Sequence, residues 1–448
     1  MSGMLSRREW IAGAAAATAV AQNRTPAARR PNVVLFLADD LGCHDLGCWG
    51  AADLKTPHID ALAAAGSRFP HWYSAAPVCA PARASLLTGR YPIRCGVPDN
   101  GPVLAPSEQT IGTLLKNAGY ATGLFGKWHL GSTPETVPNA HGFDRFFGFH
   151  SGCIDFFSHR YYWGGNNNYH DLWRDRTEVF EDGQYTTEMF TREAIRFIRD
   201  HRSDPFYCHV TYNAVHYPMH APRKYVERFP ALSKERQMYA AMLAAMDDGV
   251  GEVVSTLRDL GLYENTLLIF TADNGATREV RAGLDGKPAT AGSNQPFRGN
   301  KFSAFDGGMH VPMIMRGPGM PTAVNRQLGS HLDLLPTIVN AAGAKMPADR
   351  TMDGADALSP TYKGHEALYW SIGGQLAVRR GDWKLVKDGK TYDGTPQGDK
   401  PLTGDDAVFL ANLAEDPGET TNLRHRNPQL TDEMLSQAQK WLLDVKKP

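Results

Sequence analysis

Several features that would place a chain quickly are missing here. There is no charge excess of either sign: the formal net charge is −1 over 448 residues. That excludes a basic field broad enough to grip nucleic acid and an acidic excess of the kind that keeps chains unfolded. A local ligand is the expected partner, with no nucleic acid. Long apolar runs are also missing. The longest, near the N-terminus, is about half of the roughly 20 residues that a helical span needs, so no stable membrane span is expected. Cysteine is scarce, with six residues at Cys43, Cys48, Cys79, Cys95, Cys153 and Cys208. Their spacing fits no zinc pattern, because Cys43 and Cys48 have no second close pair. Six could form three bridges in an oxidising compartment. Chemical use of Cys79 would leave at least one unpaired. No internal repeat or low-complexity tract is visible.

Hydrophobic residues make up 42% of the chain, enough for a substantial core, and 44 Gly and 29 Pro suggest many shaped loops. The N-terminus reads Ser6-Arg7-Arg8-Glu9-Trp10-Ile11, then an Ala/Gly-rich stretch, then Ala19-Val20-Ala21. A charged start, a short apolar stretch and small residues at a cleavage point describe an export signal. The paired arginines resemble a twin-arginine signal. Residues 1–21 are therefore expected to be a signal peptide and 22–31 a polar linker, and the protein to be periplasmic or secreted.

From Asn32 onward, apolar runs of strand length alternate with helical patterns. Asn32 to Ala38 is a continuous apolar run, the mark of a buried parallel strand. Thr56-Pro57 starts a helix to Gly66, with Thr as N-cap and Pro in the first position. A helix from Thr110 to Ala118 precedes a strand from Tyr120 to Phe125. A helix from Thr186 to His201 precedes a strand from Phe206 to Tyr212. A helix from Ser233 to Leu260 precedes a strand from Thr266 to Thr271. This alternation predicts an α/β fold with a large, mostly parallel sheet between helices. The pattern changes between Gly343 and Leu358. Short strands follow at 367–372, 375–380, 383–387 and 408–413, with a final helix from Pro428 to Val445. The division is thus 32–358 for the large unit and 359–448 for a small C-terminal α+β subdomain.

Asp39-Asp40 and Asp273-Asn274 each follow the C-terminal end of a strand, the edge where open α/β sheets bind ligands. Three carboxylates and an amide oxygen make a hard oxygen site suited to Ca²⁺ or Mg²⁺. Ordinary turn chemistry also puts Asp and Asn at strand ends. Cys79 sits where a turn enters a helix, with Pro81 in the first turn. It could be an activated thiol at a helix N-terminus or a buried structural cysteine.

Cys79-Ala80-Pro81-Ala82-Arg83-Ala84-Ser85-Leu86-Leu87-Thr88-Gly89-Arg90 resembles the signature of the sulfatases, a formylglycine-dependent family of the alkaline phosphatase-like superfamily. Further segments resemble that family in its order. They are Pro31 to Asp40, Gly126-Lys127-Trp128-His129-Leu130-Gly131, Asn213 through His216-Tyr217-Pro218, Thr271-Ala272-Asp273-Asn274-Gly275, and Lys301 with Asp306-Gly307-Gly308. Gly381-Asp382-Trp383-Lys384-Leu385 and Asp416-Pro417-Gly418-Glu419 resemble its C-terminal subdomain.

The resemblance implies a sulfuric ester hydrolase in which Cys79 is oxidised to formylglycine by a maturation enzyme. One hydroxyl of the hydrated aldehyde attacks sulfur and the other helps to expel sulfate. It implies one Ca²⁺ at Asp39, Asp40, Asp273 and Asn274, beside the group made from Cys79. Lys127 and Lys301 are implied as fixed cations for the anionic transition state. Arg83 would orient the nucleophile, His129 would be the base for the second hydroxyl, and His216 the acid near the leaving oxygen, together with Lys301.

Two departures stand out: Ala82 where the family usually has Ser, and Asp306-Gly307-Gly308 leading to His310 where it has Glu-Gly-Gly and then Arg. Maturation on an unfolded cytosolic chain is compatible with twin-arginine export of the folded product.

The segment from His141 to about Asp182 is polar and aromatic, with Asp155, His159, Tyr161, Trp163, Asn166, Asn167, Asn168, His170 and Trp173. It reads either as a functional loop suited to a sugar or as a solvated insertion. Together with Gly292-Ser293-Asn294, the pattern resembles the arylsulfatase A and N-acetylgalactosamine-6-sulfatase branch, which implies a sulfated carbohydrate substrate. Two other readings share these residues: a phosphonate or phosphate ester hydrolase of the same superfamily, and a silent glycan-binding relative.

Overall fold

The computed structural model describes residues 30–163 and 168–446. The expected signal peptide, most of the expected linker, and Asn166 and Asn167 lie outside the described residues. Six strands form the body of the main sheet: β1 (Asn32–Ala38), β2 (Ala121–Lys127), β3 (Arg145–Phe149), β4 (Phe206–Thr211), β5 (Thr266–Ala272) and β6 (Met313–Arg316). Their order across the sheet is β6-β5-β1-β4-β2-β3. The five strands from β5 to β3 run parallel, while β6 is antiparallel to β5. Two-residue strands extend both edges, Ser67–Arg68 and Ala323–Val324 beyond β6, Trp173–Arg174 and Thr177–Glu178 beyond β3. The sheet is therefore parallel at its centre and mixed at its edges, a refinement of the mostly parallel sheet expected. All seven residues of β1 are buried, as in a central strand covered on both faces.

The helices form two layers. The helices α1 (Pro57–Ala64), α4 (Thr186–Asp200) and α5 (Lys234–Asp259) pack together, as do α2 (Cys79–Thr88), α3 (Ile111–Asn117) and α6 (Leu334–Ala341). Thr110 caps α3 by accepting the Thr113 N–H at 3.1 Å. Thr56 does not cap α1 in the same way. Its hydroxyl accepts from Gly47 N and donates to Asp60, which ties the helix to the preceding loop. The loop expected at 141–182 contains β3, a full member of the sheet; its period is hidden because Phe146, Phe147 and Phe149 are buried on both faces.

The C-terminal unit is an antiparallel meander of β7 (Ala367–Ile372), β8 (Gln375–Arg380), β9 (Trp383–Lys387) and β10 (Val408–Asn412), with α7 (Pro428–Asp444) against it. A buried charge cluster joins it to the main domain. Asp306 accepts from Tyr73 Oη at 2.6 Å and from Lys384 Nζ at 2.5 Å, and its N–H donates to Glu419 at 2.7 Å. Burial opposes ionisation of Asp306, but Lys384 and His310 hold it well below the usual carboxylate range. His310 stacks on Phe297 and bonds to the Pro70 carbonyl. The departures at Asp306 and His310 thus fall on a structural pair, 3.5 Å apart, of which Asp306 reaches across to the C-terminal unit.

Two tests of stability follow from this packing. Lys384→Met leaves Asp306 and Glu419 buried without their cation, and breaking a buried pair in this way costs about 3–5 kcal/mol; urea denaturation should show a loss of that size. His209 and His331 are fully buried, and burial pushes each down to about 3. A histidine held neutral takes up its proton more readily when unfolded. Its contribution is therefore full above the ordinary value near 6.5 and is lost as pH falls toward 3. The thermal midpoint should drop steadily below pH 6, and less steeply in His209→Gln.

Candidate functional site

The strand ends build the site. Ala38 and Ala272 are register partners on adjacent parallel strands, so Asp39-Asp40 and Asp273-Asn274 leave the sheet side by side. Asp40 has a left-handed backbone (φ 57°), and its N–H donates to Asp273 Oδ1 at 3.1 Å. The α2 helix aims Cys79 at this edge from its first position. The Sγ atom lies 3.5 Å from Asp39 Oδ1 and 3.9 Å from Asp40 Oδ1.

Three cations are buried with the carboxylates. Arg83, one turn into α2, donates to Asp273 Oδ2 from both Nε (3.0 Å) and Nη2 (2.8 Å). Its Nη1 reaches Thr211 Oγ1 at 2.5 Å and the Lys127 carbonyl at 3.2 Å. Lys127 Nζ donates to Asp39 Oδ2 at 2.7 Å, and Lys301 Nζ to Asp40 Oδ2 at 2.9 Å. Gly126 makes the close approach of β2 to β4 possible: at φ 126°, a Cβ there would stand 1.8 Å from the Thr211 carbonyl oxygen.

The electrostatics separate the two aspartates. Burial opposes the charge of Asp39, but Lys127, Arg83 and Lys301 outweigh it and hold the carboxyl below its ordinary value. Asp40 is raised to about 7 by burial, only partly offset by Lys301 and reinforced by Asp39 and Asp273. Lys127 and Lys301 stay charged despite burial because of Asp39 and Asp40 respectively. Burial pushes the Cys79 thiol far up, against the pull of Lys127 and Lys301. A freely ionised thiol nucleophile is therefore disfavoured here, whatever the helix N-terminus contributes.

Both histidines are disfavoured in their charged form. Burial, then the cations Lys127, Arg83 and Lys301, push His129 well below its ordinary value, and its Nδ1 is buried without a partner. Burial and the two lysines do the same to His216. The short contact of His216 Nδ1 with the Tyr217 carbonyl, 2.6 Å, requires the proton on Nδ1. Its Nε2 is then an acceptor, 3.7 Å from Asp40 Oδ2.

The residues present fit a hard divalent cation. Asn274 Oδ1 is buried with no hydrogen-bond partner, beside three carboxylates that repel one another. Asp39, Asp40, Cys79 and His216 offer ligand atoms within 4.8 Å of one another. With Asp273 and Asn274 beside them, oxygen donors outnumber the thiol and the imidazole, which suits Ca²⁺ or Mg²⁺ over zinc.

All ten residues expected from the sequence meet at this edge. A cavity of about 110 Å³ opens over them, lined by Cys79, His129, His216 and Lys301 with Asn100, Tyr161, Trp163 and Phe302. It adjoins a cleft of about 360 Å³ past Asn100 and His129, and another of about 780 Å³ past Lys301 and Phe302. Sequence reasoning missed Thr211, which sits inside a strand pattern, and Asn100, whose side-chain Oδ1 accepts from Ala80 N at 3.0 Å. Glu279, 4.0 Å from Lys301, and Gln375 of the C-terminal sheet also lie around the cavity residues and were not singled out from the sequence. Gln375 accepts from Ala304 N at 3.0 Å and donates to the Phe302 carbonyl at 2.8 Å, which fixes the turn after Lys301. Nothing local marks Glu279 or Gln375. The polar Asp99-Asn100-Gly101 turn was the one available signal for Asn100. The six cysteines are all unbridged.

The Sulfatase family profile matches residues 31–344. The chain belongs to the sulfatase family. This sulfatase is 36% identical over 391 residues to N-acetylgalactosamine-6-sulfatase of Rattus norvegicus, covering 79% of this chain and 71% of the relative. It is 33% identical to arylsulfatase A of Bos taurus, covering 91% and 86%. Among solved structures, Ps i-CgsB in complex with k-i-k-neocarrahexaose superposes with a TM-score of 0.81 at 32% identity, over 92% of this chain and 93% of that one. The PsFucS1 sulfatase from Pseudoalteromonas sp. superposes at 0.78 with 26% identity, over 93% and 90%. The chain is a sulfuric ester hydrolase with the alkaline phosphatase-like fold. Among the described residues no helix is long and apolar enough to cross a membrane.

A cation at this edge should stabilise the folded sulfatase by mass action. EGTA should lower the thermal midpoint and added Ca²⁺ restore it, whereas Asp273→Asn should show neither response.

Proposed function

We propose that this sulfatase removes sulfate from a sulfated carbohydrate, using formylglycine made from Cys79 and one divalent cation at Asp39, Asp40, Asp273 and Asn274. The observation that carries this reading is the position of Cys79 Sγ, 3.5 Å from Asp39 Oδ1 at the floor of the cavity, between two buried lysines. The hydrate of formylglycine supplies an oxygen nucleophile for sulfur, and the cation supplies positive charge to a sulfate oxygen.

The chain's own residues do the rest. Arg83 is locked by Asp273, Thr211 and the Lys127 carbonyl, and so fixes the nucleophile's orientation. Lys127 and Lys301 present fixed charge to the sulfate oxygens without reorganisation, because their own partners are already in place. His129, held neutral, accepts a proton at its free nitrogen. On the leaving-group side, Lys301 carries a proton and His216 Nε2 stands beside Asp40.

The substrate class is supported by the cavity wall and by the relatives. Tyr161, Trp163 and Phe302 offer ring faces, and the Arg281 guanidinium lies 3.4 Å above the Trp163 ring. Clefts on both sides of the cavity leave room for further sugar units. Similarity to N-acetylgalactosamine-6-sulfatase and to Ps i-CgsB, solved in complex with k-i-k-neocarrahexaose, agrees with this. The twin-arginine pattern at Arg7-Arg8 supports export to the periplasm or beyond after cytosolic maturation.

The decisive experiment isolates protein from its host, or coexpressed with a formylglycine-generating enzyme. The Cys79 peptide should carry the mass of an aldehyde, and sulfate should be released from sulfated oligosaccharides but not phosphate from matched phosphate esters. An unmodified thiol in inactive host protein would overturn the reading. Lys127→Ala and Lys301→Ala should each lower kcat by about 10²–10³, the scale of losing one fixed transition-state donor.

A further inference from the structure

The segment carrying Tyr161 and Trp163 has an unexplained base. His159 and His170 lie on its two limbs, paired through Asp171 N to the His159 carbonyl (2.9 Å), Tyr161 N to the Tyr169 carbonyl (2.9 Å) and an antiparallel bridge between Arg160 and His170. The two rings stand edge to face with centroids 6.0 Å apart. His159 is completely buried and His170 is 8% exposed.

Each ring has one nitrogen engaged and one left over. His159 Nε2 contacts the Gln184 carbonyl at 3.0 Å, and His170 Nδ1 contacts Glu178 Oε1 at 3.0 Å. Both partners are acceptors, so each of these nitrogens carries the proton. His159 Nδ1 and His170 Nε2 are left over, buried and without any hydrogen-bond partner. Two buried, unsatisfied acceptors at one place are costly unless a donor or a cation fills the space between. An imidazole whose far N–H is held by a carboxylate or a carbonyl is also how metal-binding histidines are oriented. Asp182, exposed on the turn before α4, supplies the third group; one ligand atom from each of the three residues lies within 4.8 Å of the others. Burial keeps His159 below its ordinary value, so the neutral, ligating form is the stable one.

We propose that His159, His170 and Asp182 form a zinc site, with one position left to water, that ties together the base of the segment lining the substrate cavity. Two imidazoles and one carboxylate, with water in a fourth position, match tetrahedral Zn²⁺. With arms of about 2.0–2.1 Å, such an ion sets its ligands about 3.3 Å apart. The site shares no residue with the oxygen-rich cluster at the strand ends and differs from it in donor type, imidazole nitrogen against carboxylate oxygen.

The test uses full-length protein stripped with phenanthroline and then saturated with Ca²⁺ to fill the carboxylate edge. Titration with Zn²⁺ should show one equivalent bound, and Co²⁺ should give the visible absorption of a tetrahedral site. His170→Gln should abolish both, and Asp182→Asn should weaken zinc binding tenfold or more. Zinc should raise the thermal midpoint of the wild type and leave that of His170→Gln unchanged. Failure of the stripped wild type to take up zinc would overturn the proposal. So would equal uptake by His170→Gln with an unaltered circular dichroism spectrum. If His170→Gln does not fold, the surface variant Asp182→Asn decides alone: zinc affinity equal to wild type overturns the site.

Discussion

Three carboxylates and three cations are buried together at one sheet edge, and most of the surrounding structure serves that arrangement. Each ion gives up several kcal/mol of hydration in such a place. The loss is tolerable only where every charge has a partner in good geometry. Asp273 has the Arg83 fork, Asp39 has Lys127, and Asp40 has Lys301. Asp40 is the strained member, raised to about 7 by burial and by its two acidic neighbours. The formal charges of the six sum to zero. A divalent cation at the unpartnered Asn274 oxygen would give the site an excess of positive charge, the field an anionic sulfate ester requires.

The same constraint explains the role of the C-terminal sheet. Lys301 sits on a loop, and a loop lysine could not hold a fixed position by itself. Gln375 clamps the turn after it from β8, and Ser303 Oγ donates to the Lys390 carbonyl at 2.6 Å. The buried Asp306 cluster then locks the two units together a few residues further on. A substitution in the distant sheet can therefore move Lys301 at the cavity with no contact to the cavity itself. The departure from the family pattern at Asp306 and His310 falls in this support and outside the cavity.

The polar-aromatic segment divides into parts with different physics. Part of it is core, with β3 buried in the sheet. Part forms the cavity wall, at Tyr161 and Trp163. Part is a tightly bonded base, where Asp155 accepts from the N–H groups of Phe157 and Ser158 and pairs with His220 at 2.9 Å. A composition-based reading could see the polarity and the rings but could not sort them, because burial on both faces erases the alternation that marks a strand.

What the sequence determined by itself was the set of groups and their order: the cysteine at a helix start, acidic pairs after two apolar runs, lysines and histidines at motif spacing, and the break before the C-terminal meander. Those signals are local, set by strand length, helix punctuation and short motifs, so they survive without coordinates. The parallel centre of the sheet was legible for the same reason. Its antiparallel edges and the two-residue strands were not, because they carry too few residues for a period. Only the tertiary structure decided which ion pairs with which, that Cys79 is a suppressed thiol, that His216 presents Nε2 as an acceptor, and that Thr211, Asn100, Glu279 and Gln375 belong to the site. Those outcomes depend on burial and on distances between residues far apart in the chain, such as the 190 positions separating Arg83 from Asp273. Desolvation and Coulomb energies are functions of that geometry, and no local pattern encodes them.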